Sequence, residues 1–237
     1  MEQGNKNSMT VPVAIIIAGA FIAGAIFYTS GKSDTTAVKP SVENGKKEEG
    51  VKIPPVTAQD HILGNPNAPI VLVEYSDTEC PFCKTFHGTM EQVVEQYGKD
   101  GNVAWVYRHF PLDSIHSKAR KEAEGAECAG EIGGNEKFWA YMNRIFEITP
   151  SNNQLDPAKI SEIAKYIGLD GTKFDTCLSS GKYAAHIEED FQGGLKADVT
   201  GTPSTFAIIK KTGEQTMIPG AQPFASVKAF IDSALAK

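Results

Sequence analysis

Cys80 and Cys83 stand two residues apart in the stretch SDTECPFCKTFH, residues 76–87. A pair at this spacing can do three different things. As a dithiol it can exchange with a disulfide, because a thiolate is the attacking species and a second thiol two residues away can close a small ring and displace a bound substrate. As two metal ligands it can form half of a zinc site, with His87 one turn beyond Cys83 as a third donor. As a crosslink it can staple the chain, although so short a loop restrains little of the unfolded state. A structural zinc site usually needs four ligands, often from a second closely spaced pair. The other two cysteines, Cys128 and Cys177, are isolated from each other in sequence.

The flanking residues predict how the pair is held. PIVLVEYSD, from Pro69, is a short apolar and β-branched run, the pattern of a buried strand. Phe82, Phe86, Met90, Val93, Val94 and Tyr97 then recur at three-to-four spacing, which predicts a helical face ended by Gly98. Pro81 suits the first helical turn, where its missing N–H costs nothing. Cys80 is therefore expected at a helix N-terminus, exposed, where free N–H groups and the positive end of the macrodipole favour a thiolate. Cys83 is expected one turn further in, as its partner.

NVAWVYRHFP, from Asn102, reads as a second strand. A helical region follows, about residues 114–196, in which Asp156 before Pro157 marks a helix start. STFAIIKKTGEQTMIPG reads as a hairpin with a Lys-Thr-Gly turn, and QPFASVKAFIDSALAK as a closing amphipathic helix. The expected class is α/β: a mixed sheet with its first two strands parallel and its last two antiparallel. The helical block is an insertion within one domain.

The 237 residues carry 41% hydrophobic and 22% charged side chains, ordinary for a globular protein. A formal net charge of −6 argues against nucleic acid as a partner, since phosphate binding needs a basic face. Four cysteines are too few for a disulfide-built mini-domain. TVPVAIIIAGAFIAGAIFYTS, residues 10–30, holds no charged residue and is long enough to cross a bilayer. It exceeds the apolar core of about 7–15 residues typical of a signal peptide, so a transmembrane anchor is expected there. Residues 31–55 are polar, mixed in charge and without apolar periodicity, as in a flexible tether.

DHILGNPNAPIVLVEYSDTECPFCKTFH, WVYRHFPL and VTGTPSTF occur in this order. Over about residues 60–235 they resemble the DsbA-type branch of the thioredoxin superfamily, in particular its membrane- or lipid-anchored bacterial members. The resemblance implies a thioredoxin fold over residues 56–237 with an inserted helical subdomain at about 114–196. It implies a thiol–disulfide oxidoreductase that needs no cofactor and no metal. It also orients the anchor, with residues 1–9 cytoplasmic and the catalytic domain on the extracytoplasmic side of a single-pass membrane protein, where disulfide chemistry belongs.

Roles follow from the same match. Pro203 aligns with a cis-proline beside the cysteine pair, which would leave the backbone of Thr202 free to pair with an extended substrate. Pro81 and Phe82 join it as substrate-facing residues. Glu74 aligns with a buried acid, and the alternation of Val71, Val73 and Tyr75 against Leu72 and Glu74 would place it on a covered face. A buried carboxylate there would have a raised pKa and could relay protons; an exposed edge-strand glutamate is the alternative. His87 either stabilises the Cys80 thiolate as a cation or is a partly exposed helix residue. Some members carry a second disulfide in the helical block, so Cys128 and Cys177 either pair or remain two buried thiols. The activity implied is a dithiol oxidase that introduces disulfides into reduced or unfolded exported proteins and is recycled by a DsbB-like membrane partner. A reductase or isomerase of the same fold is the alternative, and a non-catalytic tethered module holding metal or peptide is another. Isomerases of the superfamily usually carry an added dimerisation domain, and the tether is too short and polar to be one.

Overall fold

A computed structural model describes residues 52–236. The expected anchor at 10–30 and most of the expected tether lie outside these residues. Among the described residues no helix is long and apolar enough to cross a membrane.

Chain order is β1 (His61–Gly64), β2 (Ile70–Ser76), α1 (Pro81–Val93) running into one π turn (Val94–Gly98), β3 (Val103–His109), α2 (Ala119–Ile148), α3 (Ala158–Tyr166), α4 (Gly171–Ser180), α5 (Ala184–Lys196), β4 (Ser204–Ile209), β5 (Glu214–Pro219) and α6 (Phe224–Leu235). The five strands form one sheet in the order β1-β3-β2-β4-β5. β2 and β3 run parallel, as expected of strands joined through a helix. The β4–β5 pair is antiparallel, and β4 joins β2 antiparallel as well. β1, which the sequence pattern does not reveal, adds an antiparallel edge against β3.

Every residue of β2 and β3 is buried, because helices cover both faces of the sheet. Alternation divides β2 between two apolar clusters. Ile70 and Leu72 face one that includes Phe86 and Met90 of α1, Trp139 of α2 and Ile231 of α6. Val71, Val73 and Tyr75 face the other, with Val106, Phe110 and Phe206. α5 closes over this second face. Gly194 permits the approach, since a Cβ there would meet Phe110 at 2.6 Å.

The helical block lies between β3 and β4, as predicted. Its first helix, α2, is kinked at Gly134, whose φ of 77° belongs to the left-handed region that glycine tolerates. The disulfide Cys128–Cys177 ties α2 to α4. The domain begins earlier than the expected tether boundary at residue 55. Ile53 is buried, with its N–H on Gln215 Oε1 at 3.1 Å, and Arg108 donates to the carbonyls of Pro54 and Pro55 at 2.9 and 3.0 Å. The end of the predicted tether is thus part of the domain. A buried arginine, itself paired with Asp60 at 2.8 Å, holds it there.

Candidate active site

β2 ends at Ser76, and α1 starts at Pro81 with Cys80 as its N-cap. A helix start leaves backbone N–H groups without partners. No side chain caps α1 while Cys80 is a thiol, so these groups are in place to receive a thiolate. Cys80 and Cys83 are both free thiols. The Cys83 thiol donates towards Cys80, and this is the largest cause that draws Cys80 down to about 6; burial opposes it, while the Cys83 and Phe82 amides and the Thr202 side chain add to it. Cys83 moves the other way. Burial first, then its bond to Cys80 and the charges of Cys80 and Glu74, push it well above the usual thiol range. The two thiols of one motif thus hold their protons very differently. Cys80 is not as open as its position predicts: only 4% of it is accessible, its sulfur lying 3.6 Å from the Thr202 carbonyl oxygen.

Glu74 lies on the same sheet face as Leu72 and is fully buried. It stands between Tyr107 of β3 and Thr205 of β4 in the strand register. Side chains directly opposite one another share a face, so the three form a polar row across the sheet on the cysteine side. Trp105 Nε1 donates to Glu74 Oε2 at 3.0 Å. Glu74 Oε1, Tyr107 Oη, Thr205 Oγ1 and Ser76 Oγ are buried without partners. Burial is the main cause that raises Glu74 to about 7, with Ser76 and Trp105 opposing and Cys80 adding. A carboxyl group that titrates near neutrality, beside a thiol that resists ionisation, can accept and return a proton.

The Thr202–Pro203 peptide is cis, and Pro203 is buried. Phe82 is 66% exposed, and Pro81 beside it is exposed too. His87 must be reassigned. It is 3% accessible, packed at 4.6 Å from the Phe146 ring and 5.0 Å from that of Trp105, with Nε2 on Asn143 Oδ1 at 2.9 Å. Burial lowers it to about 4. It is therefore a neutral core imidazole, neither a cation beside Cys80 nor a partly exposed residue. Helix α1 is clasped between the sheet and α2, so the face that carries His87 is covered. Among the described residues no three His, Cys, Asp or Glu side chains are arranged to hold a metal ion.

The approach to Cys80 holds residues that motif spacing does not find. Asp77, Thr78 and Glu79 are all buried. Asp77 Oδ2 accepts from Leu112 N at 2.7 Å and from His116 Nδ1 at 2.9 Å, and its Oδ1 accepts from Glu79 N at 2.7 Å. Thr78 Oγ1 donates to Glu122 Oε2 at 2.6 Å. Glu79 takes the amide of Asn152 on its carbonyl at 2.8 Å and the amide of Asn153 on Oε2 at 2.6 Å. Ser151, Asn152 and Asn153 have φ of 67°, 53° and 62°. Three successive left-handed residues without a glycine cost on the order of 1 kcal/mol each, and the hydrogen bonds to Glu79 help to hold them. A signal was available: a run of polar residues between two buried elements has to find partners somewhere.

The thioredoxin family model matches residues 56–233, and the chain belongs to that family. Among solved structures, DsbA2 of Pseudomonas aeruginosa is 26% identical with a TM-score of 0.62, covering 76% of this chain and 96% of that one. Oxidised BdbD of Bacillus subtilis has a TM-score of 0.69 at 20% identity, over 79% of this chain and 99% of that one, a likeness of fold alone. In sequence, 149 residues are 35% identical to part of the Na(+)/H(+) antiporter NhaA 1 of Salinispora arenicola, 62% of this chain and 21% of that protein. The chain thus spans about a fifth of the length of this curated relative.

Proposed function

We propose that this protein is a thiol–disulfide oxidoreductase that acts as a dithiol oxidase on exported proteins. The observation that carries the reading is the placement of the two thiols: Cys80 stands at the uncapped start of α1 with its sulfur 3.6 Å from the Thr202 carbonyl oxygen, and Cys83 is fully buried one turn further in, so charge is favoured on Cys80 and disfavoured on Cys83. Stabilising the Cys80 thiolate stabilises the reduced form, which makes the Cys80–Cys83 disulfide the stronger oxidant.

The reaction runs in two exchanges. A substrate thiolate attacks Cys80 Sγ of the disulfide, forming a mixed disulfide and expelling Cys83, which takes up a proton. Glu74 is the nearby group that can supply it. A second substrate thiolate then attacks the substrate sulfur of the mixed disulfide and expels Cys80. A low pKa makes Cys80 a good leaving group. The substrate ends as a disulfide, oxidised by two electrons, and the enzyme as a dithiol. Thr202, whose carbonyl already faces Cys80, offers backbone to an extended substrate segment, and exposed Phe82 offers it apolar surface.

A DsbB-like membrane partner would accept the two electrons and restore the disulfide. Residues 10–30 would anchor the chain in the cell membrane, with the catalytic domain on the extracytoplasmic side. The Cys128–Cys177 disulfide supports that side, since such bonds persist in oxidising compartments. Equilibrium of Cys80–Cys83 with glutathione tests the direction of electron flow. A potential more oxidising than about −180 mV supports the oxidase, and one near the value of about −270 mV of a reducing thioredoxin supports the reductase instead.

A further inference from the structure

Glu79 and Glu122 take no part in the exchange chemistry, yet both are buried, at 0% and 1% accessible, and Glu79 directly precedes Cys80. Each has one oxygen accounted for. Glu79 Oε2 accepts from Asn153 N, and Glu122 Oε2 accepts from Thr78 Oγ1. Glu79 Oε1 is buried with no donor assigned to it. The neighbouring charged groups are engaged elsewhere. Lys118 Nζ donates to Leu155 O at 2.7 Å, Lys84 Nζ to Thr149 O at 2.6 Å, and Lys121 Nζ to Glu124 and Leu178 O. His116 pairs with Asp77, and Tyr141 Oη donates to Ile160 O at 3.2 Å. Two buried carboxylates without a cation cannot both stay ionised.

We propose that Glu79 and Glu122 share one proton as a buried acid–carboxylate pair, Glu122 donating to Glu79 Oε1, and that this bond positions the approach to Cys80 against the helical insertion. The pair is a positioning device for the exchange reaction, so its effect on Cys80 rests on the proposed function. With the bond in place, Glu79 holds the left-handed turn at 151–153 through two amides, and Thr78 is tied to α2. Cys80 follows in the chain, with its own amide on Asp77 O at 3.1 Å. Burial and the neighbouring Glu79 raise Glu122 to about 8, with Thr78 opposing. The pair therefore keeps its proton at neutral pH. Above that pH the proton leaves to solvent, two carboxylates face each other, and the approach loosens.

Amide exchange of Asn152 and Asn153 in the reduced full chain tests the pair, with Cys80 alkylation followed in parallel. In the wild type, protection of both amides falls about tenfold or more as pH rises from about 7 to about 9, once intrinsic exchange is corrected for. Glu122→Gln keeps a permanent N–H donor towards Glu79, so its protection stays flat over the same range. Glu79→Gln removes the like charge and lowers the Glu122 carboxyl titration, read by NMR, by about one unit or more. In the wild type the alkylation rate of Cys80 departs from a single titration near Glu122 deprotonation, and in Glu122→Gln it does not. A wild-type pH profile in Glu122→Gln overturns the proposal, and so does Glu122 titrating with ordinary carboxylates. Amide exchange and carboxyl titration need no substrate. A protein that shows the pH-dependent protection but never exchanges with glutathione keeps the pair and loses the oxidoreductase reading.

Discussion

The molecule carries two cysteine pairs that differ in nearly every respect except composition. Cys80 and Cys83 are two residues apart, are free thiols, and meet the start of a helix. Cys128 and Cys177 are 49 residues apart and joined, one inside α2 and the other inside α4. The decisive contrast lies in what receives charge on sulfur. At Cys80 a thiolate meets the amides of Phe82 and Cys83. At Cys177 the sulfur lies 3.6 Å from Glu131 Oε2, so a thiolate there would face a carboxylate. Backbone donors make a sulfur a good leaving group, and an opposing anion makes it a poor one. The same residue type thus becomes a reagent in one place and a crosslink in the other.

Breaking each pair should break a different property. Cys80→Ala is expected to reduce disulfide formation in a reduced unfolded protein to the uncatalysed rate. Given a disulfide-containing protein, Cys83→Ala is expected to accumulate mixed disulfides, visible on non-reducing gels: the Cys80 thiolate attacks the disulfide and expels one of its sulfurs as a thiolate, and no Cys83 thiol is left to release the other. The double variant Cys128→Ala/Cys177→Ala should retain exchange. If it loses exchange while Cys80→Ala keeps it, the roles assigned to the two pairs are reversed.

The crosslink is expected to show in stability instead. Releasing a loop of 49 residues costs roughly 4 kcal/mol in the chain-entropy model. Urea unfolding of the double variant should show that loss, whereas Cys83→Ala should lose less. A loss below about 1 kcal/mol would mean that packing between α2 and α4 holds the insertion without the bond.

A third difference concerns protons. The reagent pair sits over Glu74, whose pKa is raised from 4.5 to about 7. The folded state therefore binds a proton that the unfolded state has released, so this contribution is full below about pH 4.5 and is lost as pH rises to about 7. Glu74→Gln removes the dependence. The wild-type-minus-variant stability difference should change by about 3 kcal/mol across that range. The comparison isolates Glu74 from Glu122, which acts in the same direction, and from Cys80, which acts in the opposite one.

How far this contrast could be read from sequence depends on distance along the chain. The strand-to-helix junction at Cys80 is local, set by the β2 residues, Pro81 and the apolar spacing after it, and it appears where expected. The parallel β2–β3 pair and the β4–β5 hairpin also follow from local patterns. β1 escaped because four residues at a sheet edge show no alternation. His87 lies on a helix face that becomes core only once α2 covers it. Glu79 meets Asn153 across 74 residues and Thr78 meets Glu122 across 44, spans over which no periodicity reports. Pro54 and Pro55 looked like tether because the arginine that holds them lies more than fifty residues away.

The surfaces around the two pairs give the smallest and most specific test. Beside Cys80 an aromatic ring, Phe82, is 66% exposed. Near Cys177 the surface carries Lys182 and Glu131, which pair with each other, and Tyr183, which donates to Glu131 at 2.9 Å. A ring that far out of the core contributes little to folding, so its apolar area is free to meet a partner. Phe82→Ala is expected to leave urea stability within about 0.5 kcal/mol. It should lower kcat/KM for a reduced unfolded protein by about fivefold to tenfold, the effect of losing roughly 1 kcal/mol of apolar contact. Glutathione is small and polar, so its exchange rate with Cys80 should hardly change. If both substrates slow equally, Phe82 acts on the thiol itself through the helix start, and the apolar surface beside Cys80 has no part in choosing substrate.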